Sequence, residues 1–165
     1  MLSPKAQKQV MQWLELPYEV VVEWSHSPQG VVWERVISKP PTKASTCTPT
    51  LLTSTSARSM HTHPRACYDR NGTYYGWPSG SDYATFLDQR GEEHIVCALE
   101  GFYHLESTPS TVQAWHRLSE KKKDAYVKEW DVPSTTRDFT PDDALRALQA
   151  RMGGWITVTM YKYAQ

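Results

Sequence analysis

The sequence predicts an α/β domain, and three observations carry that prediction. Residues 18–24, 31–37, 94–99 and 102–105 form short runs rich in valine, aromatic and other apolar residues, the composition of strands. Other stretches place apolar residues at helical spacing behind capping residues: Ser3-Pro4, Ser79 and Thr140-Pro141. At 165 residues the chain is the size of one domain and can bury a real core.

Taken in order, Leu2-Ser3-Pro4 opens a helix. Ala6, Val10 and Leu14 form its stripe, Met11 and Trp13 flank it, and Pro17 stops it. Residues 18–24 read as a strand, Ser27-Pro28-Gln29-Gly30 as a turn, and residues 31–37 as the second arm of a hairpin. Residues 39–56 are rich in Pro, Thr and Ser without periodicity, and predict a long loop. Residues 57–63 predict a short strand stopped by Pro64; its polar start reads as an edge strand rather than a central one. Residues 65–77 predict an aromatic-rich loop. Ser79 caps a helix carrying Tyr83, Phe86 and Leu87 that ends at Gly91. Residues 94–99 and 102–105 pair through a turn at Glu100-Gly101. Residues 110–130 predict one polar helical stretch with Val112, Trp115, Leu118 and Tyr126 turned inward. Thr140-Pro141-Asp142-Asp143 starts a further helix, with Ala144, Leu145, Leu148 and Met152 as its apolar face and Gly153-Gly154 as its end. Residues 155–163 predict a final strand that returns to the sheet or forms a docking surface. The division expected is a core over residues 1–107 and an extension over 108–165 packed on the same domain.

Composition excludes some functions. Lys plus Arg and Asp plus Glu are 18 each, so nothing electrostatic favours nucleic acid or a membrane surface. The basic run Lys121-Lys122-Lys123 reads as a solvated helix face. No apolar run is long enough to span a bilayer and no signal pattern opens the chain. The cysteines Cys47, Cys67 and Cys97 are odd in number, widely spaced and lack a Cys-x-x-Cys pair. These features predict a soluble, cytoplasmic protein in a reducing compartment, where the sequon Asn71-Gly72-Thr73 is a chance match. Seven tryptophans and nine tyrosines against three phenylalanines favour half-buried surfaces, and so a groove, a protein partner or self-association.

The motif His61-Thr62-His63-Pro64, followed by Ser79-Gly80-Ser81-Asp82, carries the chemistry. Side chains alternate along a strand, so His61 and His63 point the same way. A carboxylate from a neighbouring helix, Asp82, completes a three-ligand zinc site with an open fourth position, the arrangement of a catalytic centre. Ser79-x-x-Asp82 also reads as a capping box that needs no metal. His94, His104 and His116 lack carboxylates at ligand spacing and read as surface or core-rim residues, and His26 as an exposed turn residue. No His-Glu-x-x-His, phosphate loop or Gly-x-Ser-x-Gly elbow is present.

In this order the motifs resemble the JAMM metalloproteases, also called the MPN or JAB domain, over roughly residues 18–105. The resemblance implies a mixed, curved β-sheet flanked by the N-terminal and Ser79 helices, with the C-terminal helix-helix-strand segment outside it. It implies zinc held by His61, His63 and Asp82, and Ser79 steadying the tetrahedral intermediate. It implies a glutamate base from the first strand, Glu19 with Glu23 as the fallback; Glu34 in the second strand is a distant third. It further implies a peptide or ubiquitin-like substrate whose peptide or isopeptide bond is cut. The alternative is a catalytically silent scaffold of the same type that binds a protein partner. Two departures stand out. Val20-Val21-Val22 follow Glu19 where the family has glycine, and residues 64–78 make a longer gap than usual. Tyr68, Tyr74, Tyr75 and Trp77 in that gap are expected beside the metal, as a groove wall or as an obstruction, with Cys67 a further possible ligand.

Overall fold

The computed structural model describes residues 1–43, 45–52 and 56–165. Its elements run α1 (Pro4–Trp13), β1 (Val21–Ser27), β2 (Gly30–Val36), β3 (Ser38–Lys39), β4 (Thr50–Leu51), β5 (Arg58–Thr62), α2 (Arg65–Asn71), α3 (Gly80–Asp88), β6 (Glu93–Cys97), β7 (Phe102–Glu106), α4 (Pro109–His116), α5 (Glu120–Glu129), α6 (Pro141–Met152) and β8 (Thr157–Tyr161). Six strands form one mixed sheet in the order β2-β1-β5-β6-β7-β8, and β3-β4 is a separate small pair. Neighbours in the large sheet are antiparallel except β5 and β6, which run parallel. A parallel pair needs a long crossover; here that crossover carries α2 and α3, and it sets the site.

Alternation sorts the strands onto two faces. Val22, Trp24, Met60, Ile95 and Phe102 pack with Ala6, Val10 and Leu14 of α1. On the other face, Val96, Tyr103 and Leu105 pack with Tyr83, Phe86 and Leu87 of α3, Trp115 of α4 and Leu148 and Met152 of α6. Ser3 caps α1 through the Ala6 N–H at 3.1 Å, and the Ser3 N–H donates to the Val31 carbonyl at 3.0 Å, tying the helix start to β2.

Several expectations change. β5 is interior, between β1 and β6, not an edge. Its polar side chains are tolerated there because each is bonded: Arg58 to Glu93 at 2.6 Å, and Ser59 to His94 at 2.8 Å. β1 starts at Val21, so Glu19 lies in the segment leading into the strand. Within the expected loop 39–56, Thr50–Leu51 pairs with Ser38–Lys39; residues 44 and 53–55 of that loop lie outside the described residues. The expected loop 65–77 begins with α2, closed by Gly72 in the left-handed region at φ 65°. The single stretch 110–130 is two helices, because Ser119 caps α5 through the Lys122 N–H at 3.2 Å. That break lets Trp115 and Trp130 stack at 5.6 Å, both fully buried, so part of the tryptophan surplus fills the core rather than a surface. β8 joins the sheet beside β7.

The cysteines also differ from the expectation. Cys47 and Cys67 are joined as a disulfide and Cys97 is a buried free thiol. The bond removes Cys67 as a metal ligand. Structural disulfides belong to oxidising surroundings, so the cysteines give no support to the reducing, cytoplasmic compartment expected above. Among the described residues no helix is long and apolar enough to cross a membrane.

Candidate metal centre

The centre is assembled where β5 ends and α3 begins. Thr62 faces away from it and is buried. Its backbone N–H donates to the Val20 carbonyl at 3.0 Å, and its hydroxyl accepts from the Val20 N–H at 2.9 Å. This double bond between segments lays Glu19 beside the histidines. The His63 N–H donates to the Cys97 carbonyl at 2.8 Å, carrying the β5–β6 pairing one residue past the strand. Pro64 then ends the strand and stands at the N-cap of α2. At α3, the Ser79 hydroxyl accepts from the Asp82 N–H at 3.1 Å and the Ser79 N–H donates to Asp82 Oδ2 at 2.9 Å, a complete capping box. The box leaves Oδ1 of Asp82 free to face His61.

Three ligand atoms converge. His61 Nε2 and His63 Nε2 are 3.1 Å apart; His61 Nε2 is 3.4 Å from Asp82 Oδ1, and His63 Nε2 is 3.4 Å from Asp82 Oδ2. Ligands about 2.0–2.1 Å from a tetrahedral ion stand about 3.3 Å from one another; each imidazole is near that distance from one of the two Asp82 oxygens, and the three residues, offering one ligand atom each within 4.8 Å of the others, form a group that could hold an ion. Their side chains are 12, 16 and 21 % exposed, withdrawn from water but not sealed.

The remaining histidine nitrogens are held. His63 Nδ1 bonds the Gly76 carbonyl at 2.7 Å. His61 Nδ1 bonds His94 Nε2 at 2.7 Å, and His94 Nδ1 bonds the Ser59 hydroxyl at 2.8 Å. Such outer bonds fix tautomer and ring orientation in metal sites. The Gly76 peptide is itself pinned. Its N–H donates to the Glu100 carboxylate at 2.9 Å, and that carboxylate also accepts from Tyr68 at 2.7 Å and Tyr103 at 2.6 Å. Tyr75 N–H donates to Ser134 Oγ at 2.8 Å and Trp77 Nε1–H to the Val132 carbonyl at 2.6 Å, so the segment after α5 braces the same stretch.

Among the protein groups alone, burial lowers the His63 pKa. The hydrogen bond and charge of Asp82, helped by Glu19 and the Gly76 carbonyl, outweigh burial and push it up to about 9. Burial raises Asp82, but the charges and hydrogen bonds of His61 and His63 hold it well below the usual carboxylate range. Burial, then the charge of His61, pushes His94 down to about 3, so it stays neutral. The trio draws a positive charge between its ligand atoms, as a cation site does.

Glu19 Oε1 lies 3.8 Å from His63 Nε2. Glu23 is paired with Arg35 at 2.8 Å, and Glu34 accepts from the Ser25 hydroxyl, so both are engaged elsewhere. Ser79 lines a cleft beside the trio with Tyr68, Tyr75 and Trp77, which form its wall rather than a plug; Tyr74 is exposed under Arg137.

The sequence reading missed His94, Glu100, Thr62 and the brace at residues 132–134. For His94 the register is the missing information: Ser59 stands opposite His94 and His61 opposite Val96 across a parallel pair joined by a long crossover. His26 is exposed, as expected, but lies in β1 rather than a turn, and His104 is half-buried at the core rim, as expected; both have a carboxylate partner that the sequence did not show, Glu93, at 3.0 and 2.8 Å. His116 bonds the Leu87 carbonyl at 3.2 Å. No protein family, curated protein or solved structure matches the chain.

Proposed function

We propose that this chain is a zinc-dependent peptidase or isopeptidase built on the JAMM/MPN plan that its motifs resemble. The observation that carries the reading is the convergence of His61 Nε2, His63 Nε2 and the Asp82 carboxylate, with one ligand atom from each residue lying within 4.8 Å of the others. Two imidazoles and one carboxylate favour zinc over magnesium or calcium, which prefer oxygen ligands.

When bound, zinc supplies a Lewis acid that lowers the pKa of water toward about 7 and polarises the scissile carbonyl. The residues of the chain do the rest. His61, His63 and Asp82 hold the ion and leave room for water and substrate. Glu19, beside His63, accepts the proton of the attacking water and returns it to the leaving amine. The Ser79 hydroxyl accepts the Asp82 N–H and keeps its own proton to donate to a developing oxyanion. His94 and the Gly76 carbonyl keep the imidazoles turned inward.

Purified protein is expected to carry about one zinc per chain by mass spectrometry. His63→Ala loses the metal; Glu19→Gln keeps it and loses hydrolysis of peptide or ubiquitin-like substrates. Wild-type protein that takes up no zinc after supplementation would overturn the enzyme reading. One observation favours the second reading, a silent scaffold that binds a protein partner: the Ser79–Asp82 box is complete as a helix cap and gives both residues a structural reason to be there. Zinc retained at full occupancy without turnover of any such substrate would select it.

A further inference from the structure

We propose that the cleft on the His61 side of the centre is a pocket for a bulky apolar side chain. The enzyme would then select peptide-like amides carrying a leucine-, methionine- or phenylalanine-sized residue next to the bond presented to the metal. The inference rests on the hydrolase reading above and adds the substrate class.

Two clefts, of about 460 and 410 Å3, open beside the trio, the first lined by His61 and the second by His63, and Glu19 and Asp82 line both. A chain laid across the centre therefore sends one neighbour of the reacting bond into each. The two differ in chemistry. The second sets the aromatic wall of Tyr68, Tyr75 and Trp77 against a polar border of Asn71, Thr73 and Ser134, and so is mixed. The first carries a continuous apolar wall of Val21, Ile37, Pro49, Leu51, Leu52 and Phe86, with uncharged Thr48, Ser56, Thr85 and Gln89 at its border. Among the described residues, the ionisable ones lining it are Glu19, His61, Asp82 and His94, all at the centre itself, and none is a lysine or arginine. An acidic substrate side chain would lose its water there and face the Glu19 and Asp82 carboxylates without a cationic partner, whereas an apolar one gains by burial against the far wall. Its volume lies in the range of pockets that take a sizeable group.

The mouth of this pocket is apolar and exposed: Leu51 is 57 % and Leu52 41 % accessible. Side chains of this kind left facing solvent beside a site mark a contact surface. They are also held in place. The Leu52 N–H donates to the Ile37 carbonyl at 2.7 Å, and β3 pairs with β4. The Cys47–Cys67 disulfide fastens the same loop to the helix that follows His63, and the Cys47 carbonyl accepts the Glu19 N–H at 3.0 Å. The wall is thus tied to both the ligand-bearing segment and the proposed base, so pocket and centre keep a fixed spacing.

The test uses zinc-loaded full-length protein and three hydroxamates that share a zinc-binding group: acetohydroxamate, 4-methylpentanohydroxamate and 3-phenylpropanohydroxamate. Binding is read by calorimetry. The two larger ligands are expected to bind at least about tenfold tighter than acetohydroxamate, the effect of burying two or more additional carbons. The double variant Leu51→Asp, Leu52→Asp removes that preference and leaves acetohydroxamate affinity within about twofold. Thr85→Trp, an exposed position on the same wall, fills the pocket and selectively weakens the larger ligands. Equal affinities in the wild type, or a preference that survives both variants, would overturn the pocket while the metal site stands. Protein that holds no zinc and binds none of the three would instead overturn the hydrolase reading, and the pocket with it.

Discussion

At His63 a proton and the proposed metal ion would compete for one nitrogen. Its pKa is raised to about 9 by Asp82 and Glu19 against the opposing effect of burial. A raised histidine pKa means that the folded protein holds the proton more tightly than the unfolded chain. The His63–Asp82 attraction therefore stabilises the metal-free protein fully below pH 6.5 and is lost as pH rises through about 9. Zinc needs the neutral ring, so each ion bound below that pH expels this proton. Zinc affinity is expected to rise about tenfold per pH unit between pH 7 and 9. Calorimetry in buffers of different ionisation enthalpy measures the released proton, and a flat profile across that window would refute the pairing. His94 is tested separately. His94→Leu removes the hydrogen-bond partner of His61 Nδ1 and should lower zinc affinity about 10–100-fold, while His94→Gln, with an oxygen near the Nε2 position to accept from a metal-bound His61, restores most of it.

Among the elements, α3 carries Asp82 and depends on α5 for its position. An added Cβ at Gly80 would lie 1.9 Å from the Val127 carbonyl oxygen, and the Gly80 N–H donates to Asp131 Oδ1 at 3.1 Å. Glycine here serves close approach of two backbones. Gly80→Ala is expected to cost about 1–3 kcal/mol in a denaturant melt and to weaken zinc binding, because the helix start must move away from β5. An unchanged melt would show that α5 yields freely. The disulfide anchors a loop with little regular structure of its own. Cys47→Ser is expected to cost about 3 kcal/mol for the 20-residue separation it closes. A loss well below about 1 kcal/mol would show the loop held by its other bonds.

For the whole molecule, the segment after residue 107 belongs to the main core. Trp115, Trp130, Ala144, Leu148 and Met152 are in one cluster with Tyr83, Leu87, Val96 and Tyr103. Its connecting stretch also braces Tyr75 and Trp77, and so the carbonyl that holds His63. A chain ending at residue 107 uncovers that apolar face and leaves the β7 edge unpaired. It is expected to aggregate and to show no cooperative melt; a soluble, zinc-binding fragment would refute this assignment.

What the sequence determined by itself is local. Capping residues placed the starts of α1, α3 and α6, turn residues placed the β1–β2 and β6–β7 hairpins, and the two-residue period put His61 and His63 on one face. Periodicity missed the break at Ser119 and the short α2, whose cap signals at Ser119 and Gly72 stood in the sequence but were outweighed by the surrounding pattern. Tertiary structure alone decided the rest. It set Glu19 beside the histidines, paired Cys47 with Cys67 and brought His94 and Glu100 behind the ligands. It also set the centre between two clefts, one with an apolar wall and one mixing aromatic and polar groups. The reason is range: caps and turns act over three or four residues, whereas these contacts depend on which strands become neighbours and in what register, and burial of the two faces of the whole sheet fixes that.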